Sequence, residues 1–403
     1  MKSSVTSTSV QSVETAPPEK ATFRSYWRKG NIGQLSIFFA LLVIGAFFQV
    51  TSKGLFLGPR NLSNLVLQTT AIGTIGLGAV LVLLIGEIDL TLGVVSYTCA
   101  SITAVLSVQH GWGAIPAILA GLAAGAIIGL INGFFVAVLR VPSFVVTLAG
   151  LLAYQGIVIH ILFPQTSLII QDPNLANIAT NYLPLSLGIG LPALAVVLYA
   201  IGESVTRIQR HRKGLSVPPA WMLGVRIGGT AVIVAGAVAL FEAYLGVPQS
   251  AIILMGLLLL FWLILRFTAF GQHIYAVGGN AEAARRAGIN VTGIRIAVFV
   301  LASMLATVGG LLQASRLDTA TSEVDQTLLL NAIATAVVGG VSLFGGIGSV
   351  WAVVLGSLVI GSLSNGLALL NQNPDVTYFV EGAVLLIAIT VNTLARRRPS
   401  NGG

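Results

Sequence analysis

The chain has 403 residues, of which 55% are apolar and 46 are glycine, while Lys, Arg, Asp and Glu together make up only 8%. A soluble protein carries roughly 25% charged residues. An ordinary soluble enzyme, a disordered chain and a nucleic-acid binder are therefore excluded, despite a net charge of +8. The composition fits an all-α, polytopic transmembrane helical bundle. The single cysteine, Cys99, rules out disulfides within the chain and any paired-thiol metal motif. His110, His160, His211 and His273 stand too far apart for a ligand pair at helical spacing, so no metal site is expected.

Residues 1–31 are polar, rich in Ser and Thr early and basic later (Arg24, Arg28, Lys29). They read as a flexible cytoplasmic tail and not as a secretory signal, because the polar stretch is too long and no small-residue cleavage site follows. Windows of about 20 apolar residues then recur, at 32–50, 64–86, 90–109, 114–138, 143–163, 185–203, 227–245, 249–267, 296–315, 327–344, 350–371 and 376–394. About twelve segments thus fill a transmembrane domain over 32–394, and residues 395–403 form a basic cytoplasmic tail. With the N-terminus inside, 18 of the 21 Lys and Arg fall on the inner face, and only Lys53, Arg60 and Arg316 fall outside. That bias follows the positive-inside rule, and the even count places both termini in the cytoplasm. The inner set includes Arg140, then Arg207, Arg210, Arg212, Lys213 and Arg226 in the 204–226 loop, then Arg266, Arg285, Arg286 and Arg295.

Within the fourth segment Gly121, Gly125, Gly129 and Gly133 recur every four residues and form a ridge without side chains. Helices in lipid associate through close backbone approach over small residues, so the ridge predicts tight packing. Asn132-Gly133 and Asn365-Gly366 echo each other in segments four and eleven, as in an internal repeat. Asn132, Gln155, Asn331, Thr335 and Asn365 are uncharged polar residues inside segments. Such groups bond across helices or line a path, and a neutral hydroxylated solute such as a sugar suits that lining. Glu381 is an outlier in the last segment.

Glu87 and Asp89 join segments two and three. Carboxylates so near the hydrocarbon are costly unless they reach water or a partner, which marks them as path or gate candidates. A tight inner turn with Asp89 capping the third helix is an equal reading. The longest structured inner loop is 266–295. There Asn280 is placed to cap a two-turn helix over 281–287, with Glu282 near its positive end and Arg285 and Arg286 near its negative end. Gly288 suits the left-handed position that closes a helix. So short a helix is unstable alone in water and must be held by the protein or a partner; its capping and inner-face position favour a docking element over a plain structured loop. The Gly-rich run Val338–Ser349 lacks the lysine of a phosphate-binding loop, and no lysine follows Lys213. ATP binding by this chain is not expected, and the run reads as a tight turn or re-entrant bend.

Four stretches carry a family resemblance: Ile274–Val291, Glu87–Gly93, Val141–Gly150 and the Gly-rich run over 336–350. They resemble the monosaccharide ABC-importer permeases, over roughly residues 32–394. The extra helix pair around 185–245 makes the xylose-type branch the closer match. Glu282-Ala283-Ala284 with Gly288 is similar to the motif that docks on a nucleotide-binding subunit. The resemblance implies a permease subunit in a bacterial cytoplasmic (inner) membrane, without enzyme activity or cofactor of its own. It implies a homodimer, a separate cytoplasmic ATPase and an extracytoplasmic sugar-binding protein, with D-xylose or a related pentose as solute. It assigns ATPase coupling to Gly279, Asn280, Glu282, Ala283, Arg285 and Gly288, and leaves Glu87, Asp89, Asn331 and Asn365 as residues of the translocation path or gate. Three positions depart from the pattern: Asn331 stands where relatives commonly carry Asp, Val341 replaces a usual Thr, and Gln272 a usual basic residue. The competing class is an ion-driven secondary sugar carrier. Against it, the connection from Glu87 to Gly93 has no basic cluster and no buried His/Asp/Glu relay stands out.

Overall fold

The computed structural model describes residues 32–214, 217 and 219–396. The expected tail over 1–31, with Arg24, Arg28 and Lys29, lies outside the described residues, as do Arg397 and Arg398 of the basic end. The first half of the chain forms α1 (Ile32–Thr51), α2 (Pro59–Leu84), α3 (Leu92–Val108), α4 (Ala114–Ala137) and α5 (Ser143–Leu162). A strand β1 (Ser167–Ile169) and one-turn α6 (Pro173–Ala176) lead to α7 (Leu185–Arg212) and α8 (Ala220–Glu242). Then come α9 (Gln249–Phe267), α10 (Ala269–Gly279), α11 (Ala281–Arg286), α12 (Val291–Leu317), β2 (Thr319–Thr321), α13 (Gln326–Val338), α14 (Ala352–Leu369) and α15 (Pro374–Arg396). Among the described residues, eight helices are long and apolar enough to cross a membrane, and three more are shorter but apolar. The molecule is a multi-pass helical membrane protein.

Every apolar window of the sequence overlaps a helix, but several bounds move: the helix in the 327–344 window stops at Val338, and the largest shifts are in α7 and α8. α7 runs on to Arg212 and α8 begins at Ala220, so most of the expected 204–226 loop is helical. Between Glu203 and Lys213 there is no Gly or Pro to break the ladder. Hydropathy marks only the lipid-matched part of such a helix. It ends at Gly214, which takes φ +67°.

α2 is the axis of the bundle: 83% of its apolar window is buried, against 6% in α7 and 0% in α8. Ile75, Leu77, Val80, Leu81 and Leu84 of α2 pack into one core with Leu258 of α9, Val298 and Phe299 of α12 and Val353 of α14. The glycine ridge of α4 does what its spacing predicts. Gly121 faces Cys99 and Thr103 of α3, Gly125 faces Ser303 and Thr307, and Gly129 and Gly133 lie on the backbone of α12. A Cβ on Gly129 would fall 2.6 Å from the Cα of Val300, so only glycine permits this approach.

α13 has only 13 residues, about 20 Å of helix against a hydrocarbon core of about 30 Å. The chain from 339 to 351 then runs without helix, a bend with Val341, Ser342 and Val350 buried and Phe344 and Ile347 exposed. Protein groups take up part of its backbone: Ser342 N donates to Ile347 O at 2.8 Å and Gly346 N to Leu84 O at 2.9 Å. At the opposite end of α12, β1 and β2 form a small antiparallel ribbon with Ser167 opposite Thr321.

The pair α7–α8 is peripheral. Tyr182 bridges to Pro248, Leu183 N donates to Val247 O at 2.9 Å and Gln249 N to Asn181 O at 2.8 Å, so the chain leaves and re-enters the bundle at one point.

Candidate functional site

The short helix read from the sequence is present as α11. Asn280 Oδ1 accepts from the amide of Ala283 at 2.9 Å, satisfying one of the orphan donors of the first turn. Glu282 meets Arg286 at 3.1 Å and Arg285 at 3.9 Å. Gly288 takes φ +85° and its amide closes the helix on Arg285 O at 3.0 Å. Ala284 is buried beneath the helix, while Glu282, Arg285 and Arg286 stand exposed. The next residue in the series, Asn290, caps α12 through the amide of Gly293 at 3.0 Å. The sequence reading missed α10, which runs straight into α11. The available signal was Thr268, whose hydroxyl accepts from Gly271 N at 3.2 Å, but three glycines over eleven residues mask the helical period.

At the foot of α11, three glycine pieces meet. Gly278-Gly279 ends α10, Gly86 follows α2 with φ +78°, and Gly345 and Gly346 form the tip of the bend at φ +84° and +70°. A Cβ on Gly278 would run into the carbonyl of Leu84 and the amide of Gly346, the two halves of one hydrogen bond. A Cβ on Gly345 would fall 2.6 Å from Gly278 O and 2.9 Å from Gly86 Cα. Tyr275 of α10 adds a hydrogen bond from its hydroxyl to Gly348 O at 3.0 Å. The contact is backbone against backbone, with no flexible side chain between, so a displacement of α10–α11 bears directly on the ends of α2 and α13.

Glu87 and Asp89 lie at this same end. Glu87 pairs with Arg295 at 3.0 Å, both of them largely buried. The pair lines a cavity of about 200 Å³ with Arg140, Ser143 and Arg285, which brings Glu87 beside α11. Asp89 is fully enclosed. Its Oδ1 accepts from the amide of Thr91 at 2.8 Å and from the Thr91 hydroxyl at 2.5 Å, while Oδ2 has no partner among the described residues. This is an Asx turn just before α3, two residues ahead of Thr91, which holds the N-cap position expected of Asp89. Burial pushes the Asp89 carboxyl up to about 6, against the opposing pull of its hydrogen bonds from Thr91.

A buried chain of bonds leads away from Asp89. Asn132 Nδ2 donates to Thr91 Oγ1 at 3.0 Å, and the Tyr154 hydroxyl donates to Asn132 Oδ1 at 2.8 Å. Three helices, α3, α4 and α5, are thereby tied to the carboxylate. Tyr154→Phe strands a buried amide oxygen and is expected to destabilise the chain by about 1–3 kcal/mol. Thermal unfolding in detergent measures it. The double variant Asn132→Leu/Tyr154→Phe removes both partners and should cost less than the two singles summed; strict additivity would contradict the network.

A cavity of about 690 Å³ opens at the other end of α13. Glu323, Asp325, Gln326, Thr327 and Asn331 line it from the start of α13, and Tyr378 and Glu381 from α15. Glu381 is buried and bonded to the hydroxyl of Ser364. Asn331 is thus in the groove, and Asn365 is not: its Oδ1 accepts from Asn61 Nδ2 at 2.8 Å, tying α14 to α2. Carboxylates, amides and one phenol ring offer donors, acceptors and a flat apolar face, the set that a polyhydroxylated ring needs. Glu323, Asp325 and Tyr378 were not singled out from the sequence. They come from two chain regions some fifty residues apart, and only the packing of α15 on α13 brings them together. The available signal was Glu381, an isolated carboxylate in an apolar segment.

Comparison with known proteins sets these features in context. The family model for the permease component of branched-chain amino acid transport systems matches residues 61–389. The xylose transport system permease protein XylH of Escherichia coli (strain K12) is 36% identical over 386 residues, covering 96% of this chain and 98% of that protein. The ribose import permease protein RbsC of the same strain is 30% identical over 371 residues, covering 92% and 96%. The fructose import permease protein FrcC of Rhizobium meliloti is 27% identical over 350 residues, covering 87% and 82%. No solved structure matches the chain.

Proposed function

The chain belongs to this family of transport-system permease components, on its sugar-permease side, and from that premise we propose that it is the membrane-spanning subunit of an ATP-driven monosaccharide importer. It works in a bacterial cytoplasmic membrane as a homodimer. A cytoplasmic ATPase subunit, which carries the ATP-hydrolysing site, docks on α11 through Gly279, Asn280, Glu282, Ala283, Arg285 and Gly288. An extracytoplasmic binding protein delivers the sugar, D-xylose or a related pentose, to the groove at the far end of α13.

One observation carries the reading. α13 lines the groove with Asp325, Thr327 and Asn331 at its start, and the bend that follows its end packs on Gly278 and Gly279 at the base of α11. The short helix and the bend that follows it therefore link the groove to the base of α11, and a two-state shift at α11 biases the groove. Glu87 and Asp89 sit beside the junction, where they hold the inner gate. The groove is open on one flank, with Leu330 at 54% and Tyr378 at 55% exposure, which a second copy of the chain would close. The pentose assignment draws support from the xylose permease relative and from the presence of α7–α8.

Reconstitution in liposomes with a candidate ATPase tests the proposal. Uptake should require ATP and ignore ion gradients; uptake by the isolated chain down an ion gradient overturns it. In the assembled system Asn331→Ala removes one neutral hydrogen bond to the sugar. It should raise the sugar concentration for half-maximal ATPase stimulation by about 3- to 10-fold. Stimulation by a panel of pentoses and hexoses identifies the solute.

A further inference from the structure

The α7–α8 hairpin has no role in the groove or the junction, and its arrangement asks for a ligand of its own. Its shafts are bare: Leu194, Val197, Leu198, Val232 and Ile233 are all more than half exposed. Tyr182, just before α7, bonds Ser63 in the first turns of α2, so the two helices start at one end and finish at the end that carries the bend and α11. At that end α7 continues beyond its apolar stretch. Glu203, Arg207 and Arg210 recur there at i, i+4 and i+7, which places them on one helix face. That face turns toward α8, where Arg226 meets Glu203 at 3.6 Å. Together with Met222 and Leu223 these residues enclose a cavity of about 60 Å³. Trp221, 58% exposed in the first turn of α8, has the place of an interfacial anchor.

Topology accounts for the sign of these charges and not for their alignment in a groove between two helices. We propose that Arg207, Arg210 and Arg226 hold the phosphate of an anionic phospholipid, whose acyl chains lie along the bare flanks of the hairpin. Three guanidinium groups facing one carboxylate match a phosphodiester, and arginine grips its oxygens as a planar fork. Met222 and Leu223 cover the glycerol side, where a soluble anion would gain nothing. Basic pockets between helices at the membrane surface are physically suited to such head groups.

The test uses the full chain, extracted from bilayers of mixed phosphatidylglycerol and phosphatidylcholine and weighed by native mass spectrometry. Wild type should retain phosphatidylglycerol in preference to phosphatidylcholine. Arg207→Gln/Arg210→Gln should lower that retention on the order of 10-fold. Arg207→Lys/Arg210→Lys keeps the charge and loses the fork, so it should also lose most of the retention. Full retention by the lysine variant would reduce the groove to a diffuse basic patch and overturn the proposal. So would equal loading by inorganic phosphate in lipid-free detergent, or variants that keep the lipid and lose a protein partner instead. Arg207 is half-buried and Arg210 exposed, and an unchanged thermal transition in each variant confirms that retention and not folding is being read.

Discussion

Glu282→Ala and Gly288→Val should each abolish sugar-stimulated ATP hydrolysis while leaving the chain folded and its complex assembled. The Glu282 side chain is 61% exposed and, among the described residues, pairs with Arg285 and Arg286. Exposed pairs of this spacing contribute roughly 0.2–0.5 kcal/mol each, too little for their loss to unfold a bundle of this size. If stimulation vanishes, the carboxylate acts through a contact outside the chain. Gly288 works differently. Nothing lies within 4 Å of a Cβ placed there, so the residue has room, but its φ of +85° is hostile to any side chain. A β-branched residue in that conformation costs on the order of 1–2 kcal/mol, and α11 has only six residues with which to resist. The helix would lose its closing turn and present its face at the wrong angle. Stimulated ATPase rates in reconstituted complexes, alongside co-purification of the subunits, measure both effects. Unimpaired stimulation in both variants would remove α11 from the coupling role.

The second large effect belongs to two adjacent glycines with opposite fates. Gly278→Ala should cripple the protein, and Gly279→Ala should leave its stability close to wild type. At Gly278 a methyl group lands on Leu84 O and Gly346 N and forces apart a 2.9 Å backbone hydrogen bond. Overpacking costs about 1–3 kcal/mol, and unmaking a buried hydrogen bond costs about as much again. A methyl on Gly279 meets nothing within 4 Å. Apparent melting temperatures of the two variants in one detergent provide the comparison. Equal melting temperatures would mean that the three glycine pieces are not in the contact described.

What the sequence made legible was local. The cap at Asn280, the closing Gly288 and the four-residue glycine ridge each depend on spacing within one helix, and each is found where that spacing puts it. What it hid was everything set by packing between distant segments. The Gly-rich run reads as a bend, but nothing in it announces that Gly86 and Gly278 are its partners. Asn331 and Asn365 look alike as buried amides, yet one faces the groove and the other is spent on Asn61. The direction in which a helix presents a residue follows from its neighbours, and here those neighbours lie up to hundreds of positions away in the chain. Asp89 shows a third case: the capping signal is real, but the turn places it two residues ahead of the N-cap, on the amide of Thr91 itself.

The clasp at Tyr182 and Pro248 has one more consequence. Residues 183–247 form a closed excursion: the chain departs and returns through the same pair of backbone hydrogen bonds, and the shafts beyond contribute little to the common core. Such a segment can open on its own, well below the free energy that unfolds the rest. Its amides should then exchange with solvent on a separate and faster schedule than those of α2. The hairpin is thus joined to the bundle at a single seam, and its opening leaves the common core intact.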